Sequence, residues 1–107
     1  MTSAVRQQRH FLEFLLQSNP AQRKLILSSI TRDQLNVLGE IAANVIHSVI
    51  LLNPEEKKAL KKYKSVLFVL GDKKTAKKIK GGYLKRNQLG ITTLLKIVKP
   101  FLKKWWT

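Results

Sequence analysis

The chain contains no cysteine and only two histidines among its 107 residues. Without cysteine, disulfide frameworks and thiolate metal sites are excluded. His47 is a lone imidazole with no second histidine or carboxylate at ligand spacing, and His10 is not paired with a candidate nucleophile. The sequence therefore predicts no metal and no cofactor.

Acidic residues are also scarce, with six of them against 21 lysines and arginines and a net charge of +15. Most of the six fall at predicted helix starts or on exposed faces. Glycine-rich phosphate loops of the types GxGxxG and GxxxxGKS/T are missing. Together these absences predict that the protein is not an enzyme.

Long apolar runs are missing as well. The most apolar stretch, 41–52, is interrupted by Asn44, His47 and Ser48, whereas a membrane-spanning helix needs about 20 mainly apolar residues. The first ten residues lack the apolar core of a secretory signal. We therefore expect the protein to stay in the cytosol or nucleus.

What the chain does have is positive charge, and it is unevenly placed. Residues 1–53 carry five basic and three acidic side chains, whereas residues 54–107 carry sixteen and three. A near-neutral half followed by a very basic half suggests a folded module joined to an arm that binds nucleic acid or a membrane surface.

Lysine pairs recur four residues apart in two stretches, 57–62 and 73–78. Residues at i and i+4 share a helix face, so each stretch predicts a cationic patch. A merely solvated face usually mixes signs, and here few acids balance the lysines, which favours a polyanion-binding surface. The candidate nucleic-acid-binding residues are Lys57, Lys58, Lys61, Lys62, Lys64, Lys73, Lys74, Lys77, Lys78, Lys80, Lys85 and Arg86.

Helix signals dominate the first 70 residues. Asn-Pro at positions 19 and 53 predicts two helix starts, and the capping box that begins at Thr31 predicts a third. Gly39 predicts close helix packing, and Gly71 is expected to cap the fourth helix. The predicted helices run over 3–17, 20–29, 32–52 and 54–70. The predicted fold is all-α: a compact bundle of about four short helices over 1–70, a basic linker over 71–89, and an amphipathic helix over 90–107.

The C-terminal segment has an apolar face and, on its other side, Lys96, Lys99 and Lys103. Such a face either docks on the bundle or contacts an anionic membrane, and the pattern does not distinguish the two. The residues of this membrane or docking face are Ile91, Leu94, Leu95, Val98, Leu102, Trp105 and Trp106.

Gly81-Gly82 is expected to break any helix and to leave a mobile joint. An ordinary flexible joint is one interpretation. The other is a protease site formed by Ile79, Gly81, Gly82 and Tyr83, because an extended backbone without side chains fits a narrow cleft. The bond cut would be Gly82–Tyr83.

Four segments carry a family resemblance: SNPAQRKLIL, QLNVLGEIAANVI, LNPEEKKALKKYK and KKIKGG with its apolar tail. Over residues 17–107 the chain resembles small basic proteins of adintovirus and Maverick/Polinton-type viruses, which are likened to the adenovirus core protein X, the precursor of mu. The glycine pair is similar to the sites cut by adenovirus-type maturation proteases. The resemblance implies a component of the virion core that condenses packaged DNA, enters the host nucleus and is trimmed after Gly82.

These patterns lead to one principal hypothesis, sequence-independent binding of double-stranded DNA. Two alternatives remain open. One is a precursor from which cleavage releases 83–107 as a membrane-active cationic peptide. The other is a helical adaptor whose groove holds a helix of a protein partner.

Overall fold

The computed structural model of the protein describes residues 2–47, 52–72 and 74–106, with the backbone alone for Thr2, Ser3 and Trp105. These residues form helices and no strand, so the all-α prediction is confirmed. The helices are α1 Thr2–Gln7, α2 Arg9–Gln17, α3 Pro20–Ser28, α4 Arg32–Ile46, α5 Pro54–Lys61, α6 Lys64–Gly71, α7 Lys77–Arg86 and α8 Gln88–Trp106.

Three of the helices begin where the sequence predicts. Asn19, Thr31 and Asn53 each accept a hydrogen bond from the backbone N–H three residues on, at 2.8–3.1 Å. In each case the side chain of the glutamine or glutamate at that position accepts a hydrogen bond from the cap residue's own N–H. These capping boxes satisfy donors that the first turn would otherwise leave unpaired.

Helices α4 and α6 pack against each other unusually closely, through two glycines. A Cβ atom built on Gly39 would lie 2.6 Å from the carbonyl oxygen of Leu70, and one on Gly71 would lie 3.2 Å from the backbone of Ala43. The prediction for Gly39 is confirmed. Gly71 is the last residue of α6 rather than its cap, which is Asp72, and its lack of a side chain allows the close contact with α4.

The apolar face of α8 is packed in the core of the molecule. Helices α1, α2, α3, α5 and α7 all contact α8. Ile91, Leu94, Leu95, Val98 and Leu102 are 0% exposed. For these five residues the structure shows docking, the first of the two possibilities left open by the sequence.

The two ends of the chain are joined near the C-terminus of α8. The indole N–H of the half-buried Trp106 donates to the carbonyl oxygen of Val5 at 3.2 Å. Val5 is itself 0% exposed. This bond satisfies a carbonyl in the last turn of the short helix α1, where no intrahelical partner is available.

A four-helix module that closes over residues 1–70 is not confirmed. Instead, one apolar core contains residues from Val5 in α1 to Leu102 in α8. The radius of gyration, 12.6 Å, matches the value of about 13 Å expected for a single compact domain of this length. The basic second half of the chain is therefore part of the body and not an arm extending from it.

The expected linker is wrong for residues 77–86, which form α7. Gly81 and Gly82 lie inside this helix, although each costs about 1 kcal/mol relative to alanine. Leu84 is 0% exposed, and α7 contacts α3, α4 and α6. Burial of this one apolar side chain, at about 1.5–3 kcal/mol, offsets the weak propensity that the glycine pair suggests.

Several predicted boundaries also change. The first helix divides at Gln8, and the fourth divides at positions 62–63. Tyr63, at this second division, places its ring against Gly90 of α8, where an added Cβ would lie 2.9 Å from the ring. The third helix is described as far as Ile46, and 48–51 lie outside the described residues.

We predict that Gly39→Ala and Gly81→Ala change stability in opposite directions. At Gly39 the added methyl meets the Leu70 carbonyl, so we expect the free energy of unfolding to fall by about 1–3 kcal/mol. At Gly81 nothing lies within 4 Å of the new atom, so we expect a rise of up to about 1 kcal/mol. Urea unfolding followed by circular dichroism measures both. Equal effects at the two positions would contradict the close approach of α4 and α6.

We also predict that residues 1–82 do not fold without the rest of the chain. Truncation removes Leu84 and the five fully buried residues of α8. Each is worth about 1.5–3 kcal/mol on burial, and their sum is comparable with the whole stability of a domain, about 5–15 kcal/mol. A thermal melt of the full chain should show a cooperative unfolding transition, and a melt of the fragment should show none. A cooperative transition in the fragment would show that 1–82 has a core of its own.

Candidate polyanion-binding surface

Five lysines lie on α5, on α6 and in the turn between these helices, and all five side chains are exposed. We call them the α5–α6 lysine cluster: Lys57, Lys58, Lys61, Lys62 and Lys64. Lys62 places its ammonium 5.3 Å from the centre of the Tyr63 ring, and Lys64 lies 5.7 Å from that of Phe68. Contact with an aromatic face restrains the aliphatic stem while the ammonium stays accessible to a ligand.

A second group of basic residues belongs to α7 and the turn before it. We call it the α7 basic cluster: Lys74, Lys77, Lys78, Lys80, Lys85 and Arg86. All are exposed except Lys80, which is half-buried. Arg86 stacks on Tyr83 at 5.2 Å. Lys73, the remaining candidate of the sequence analysis, lies outside the described residues.

Neither cluster forms a salt bridge with an acidic side chain of the described residues, although Glu55 lines a shallow pocket together with three lysines of the α5–α6 cluster. Among the described residues, no carboxylate oxygen comes within 4.0 Å of a basic nitrogen of these two clusters. Glu56, the nearest acid in sequence to the α5 lysines, accepts the backbone N–H of Asn53 in the capping box. The positive charge of both clusters therefore faces water, where it creates a potential that attracts anions.

Asp72 is the acid that precedes α7, and its carboxylate is engaged locally. It accepts the backbone N–H of Lys74 at 3.0 Å and the hydroxyl of Thr75 at 2.9 Å. The first bond lowers the pKa of Asp72 most, the second lowers it further, and the positive charges of Lys80 and Lys74 act in the same direction. Asp72 thus orders the turn into α7.

A third basic site was missed by the sequence analysis. Lys96, Lys99 and Lys103 of α8 line a cleft of about 640 Å³ together with Arg9 of α2 and Trp106. We call it the α8 cleft. The Arg9 guanidinium lies 5.3 Å from the Trp106 ring and pairs with Glu13. The spacing of the three lysines is visible in the sequence, but their proximity to Arg9 comes only from the fold.

The four residues of the predicted protease site all lie in α7. Ile79 is exposed, while Gly81, Gly82 and Tyr83 are half-buried. Proteases bind extended backbone, so cleavage at Gly82–Tyr83 requires local unfolding of α7. Packing does not require either glycine, because the nearest atoms to a Cβ on Gly82 belong to the Arg86 guanidinium, at 3.8 Å, and Gly81 has open space.

The apolar face of α8 is not available to a membrane in this fold. Five of its residues are fully buried, Trp106 is half-buried, and the Trp105 side chain is outside the described part. Across residues 2–47, 52–72 and 74–106, no helix combines the length and hydrophobicity that a membrane crossing needs. Within the same ranges, no three histidine, aspartate or glutamate side chains converge as metal ligands would.

Comparison of the chain with protein-family models, with curated proteins and with solved structures returned no match. Function must therefore follow from the chemistry of the surface. That surface offers three groups of accessible basic side chains on a folded helical body.

We predict that the Asp72 pKa lies below the ordinary value of 3.8. A depressed pKa in the folded state means that the carboxylate stabilises the fold at pH values above the ordinary pKa, and that this contribution is lost as pH falls through the folded-state value. Carboxyl-carbon NMR titration measures the pKa directly. Thr75→Val removes one hydrogen bond and should raise it. An Asp72 that titrates at or above the ordinary value, or a Thr75→Val variant with no change, would contradict this role.

Proposed function

We propose that the protein binds double-stranded DNA without sequence preference, through the α5–α6 lysine cluster and the α7 basic cluster. The observation that supports this most is the absence of carboxylate partners for the exposed basic side chains of the two clusters among the described residues. Unpaired ammonium groups contribute most binding free energy to a partner with dense and regularly spaced negative charges, such as the phosphates of DNA.

The mechanism depends on counterion release. An ammonium is a mobile point charge that neutralises phosphate, without the planar fork with which arginine reads guanine. Each phosphate contact releases condensed cations, and none of these contacts carries sequence information. Ten of the eleven residues in the two clusters are lysines, which favours binding without base recognition.

The dimensions of the molecule limit the size of its binding site. Its extents are 31 × 30 × 28 Å, and base pairs are stacked about 3.4 Å apart. One molecule therefore covers about nine base pairs, and six to ten phosphate contacts are a reasonable number for its two clusters. The α8 cleft adds three exposed lysines of α8, whereas its Arg9 is already paired with Glu13. A further group of exposed lysines favours condensation as well as binding, because it allows contact with a second DNA segment.

The resemblance to virion core proteins extends the proposal to packaged DNA in a virion and to the host nucleus. Within it, cleavage after Gly82 by a viral maturation protease would have to await local melting of α7 and would separate α8 from the rest of the core. The alternative of a membrane-active peptide needs the same release, because the apolar face of α8 is buried in the intact chain.

We predict that glutamine at Lys57, Lys58, Lys61, Lys62, Lys74, Lys77, Lys78 and Lys85 abolishes most DNA binding. Fluorescence anisotropy with a labelled duplex should show the wild-type affinity falling by about 10³–10⁵ between about 50 and about 200 mM salt. The slope of the logarithm of the binding constant against the logarithm of salt concentration should decrease in magnitude by about one for each phosphate-contacting lysine that is replaced.

The matched control replaces the same eight lysines by arginine, which keeps the charge and should keep the affinity. A second duplex of unrelated sequence should bind equally well. Affinity that does not change with salt, or a glutamine variant that binds DNA like wild type, would contradict the proposal.

A further inference from the structure

A groove of about 690 Å³ lies beside the α5–α6 lysine cluster, between the end of α4, α5 and α6. Its base contains Leu60 and Leu67, which are buried, and its walls include Val45 and Phe68. Four lysines complete the lining: Lys57, Lys58, Lys61 and Lys64. We call it the lysine-rimmed groove. Its volume is in the range of about 300–1,000 Å³ that is usual for ligand sites.

Phe68 is the most informative residue of the groove. It is 49% exposed, so half of a large aromatic side chain faces water beside several charged groups. DNA binding accounts only for the contact of the ring with Lys64, since a phosphate backbone has no apolar surface that would bury the rest of the ring. An apolar patch bordered by charge is typical of a site for a protein partner.

The charge of the rim limits what the partner can be. A second copy of this chain would bring another +15 of charge to the lysines, and like charges at an interface cost several kcal/mol. A partner that fills the apolar base and also presents carboxylates would satisfy both parts of the groove. An amphipathic helix with acidic flanks has this chemistry.

We propose that the lysine-rimmed groove binds an amphipathic helix of another protein, with an apolar stripe in the groove and aspartates or glutamates against the rim lysines. The length of α5 matches the spacing of the anchor residues on such a helix. Helix α5 has eight residues and is therefore about 12 Å long. Positions i and i+7 of a partner helix, the usual outer anchors, are about 10.5 Å apart. This binding goes beyond the proposed DNA binding and does not depend on it.

The test uses the full chain and a labelled synthetic peptide of about 15 residues, a length at which an isolated helix begins to be stable. The peptide carries leucines at helical spacing and glutamates on both flanks of the stripe. Fluorescence anisotropy should show binding to the wild type. Amide NMR shifts caused by the peptide should be confined to the end of α4, α5 and α6.

Phe68→Ser should weaken peptide binding by about tenfold or more, as loss of an aromatic anchor does. Phe14→Ser is the matched control, because Phe14 is 59% exposed on α2 and does not line the groove. It should leave peptide binding unchanged. Phe14→Ser should bind duplex DNA like wild type, and Phe68→Ser should lose at most the contribution of Lys64, the lysine that its ring contacts. Failure of this proposal is therefore distinguishable from failure of the DNA proposal.

Three results would overturn the inference. The first is equal binding of a peptide of the same composition in scrambled order, which would show that charge alone is recognised. The second is a Phe68→Ser variant with undiminished affinity, or amide shifts located elsewhere. The third is a straight-chain fatty acid that binds the groove when the peptide does not, which would make the ligand a lipid anion.

Discussion

Burial of the apolar face of α8 is the interaction on which the rest of the structure depends. Five of its side chains are fully buried and five other helices contact it, so these helices share one core with α8. The same helix carries Lys96, Lys99 and Lys103 on the side that lines the α8 cleft. One amphipathic segment therefore organises the core and supplies part of the basic surface.

This arrangement explains how so much positive charge is kept on a folded body. The lysine-rich helices each contribute a buried apolar residue to the core, Leu60 in α5 and Leu84 in α7. Self-repulsion at a net charge of +15 opposes compaction. A polyanion that binds the native state would relieve this repulsion and stabilise the fold by mass action. Under the proposed DNA binding, function and stability would be linked through the same side chains.

The five glycines fall into two groups with different physical roles. Gly39, Gly71 and Gly90 lie where an added Cβ would come within 2.6–3.2 Å of another element, so they allow close packing. Gly81 and Gly82 lie in a helix where an added Cβ would meet nothing within 4 Å at Gly81 and only the Arg86 guanidinium, at 3.8 Å, at Gly82. They lower the helix propensity of α7 without a packing benefit, so α7 depends on contacts with its neighbours. A sequence motif alone does not separate these two groups.

The amino-acid sequence alone determined the features that depend on neighbours a few residues apart. The three capping boxes at Asn19, Thr31 and Asn53 form within four residues, and the all-α class follows from the 3.6-residue apolar period. Tertiary structure decided the rest. Whether α8 docks or meets a membrane, whether 77–86 forms a helix, and which basic residues share the α8 cleft all depend on contacts between distant parts of the chain. An amphipathic face has the same sequence pattern whether it docks on other helices or contacts a membrane. Only the packed core distinguishes these two outcomes.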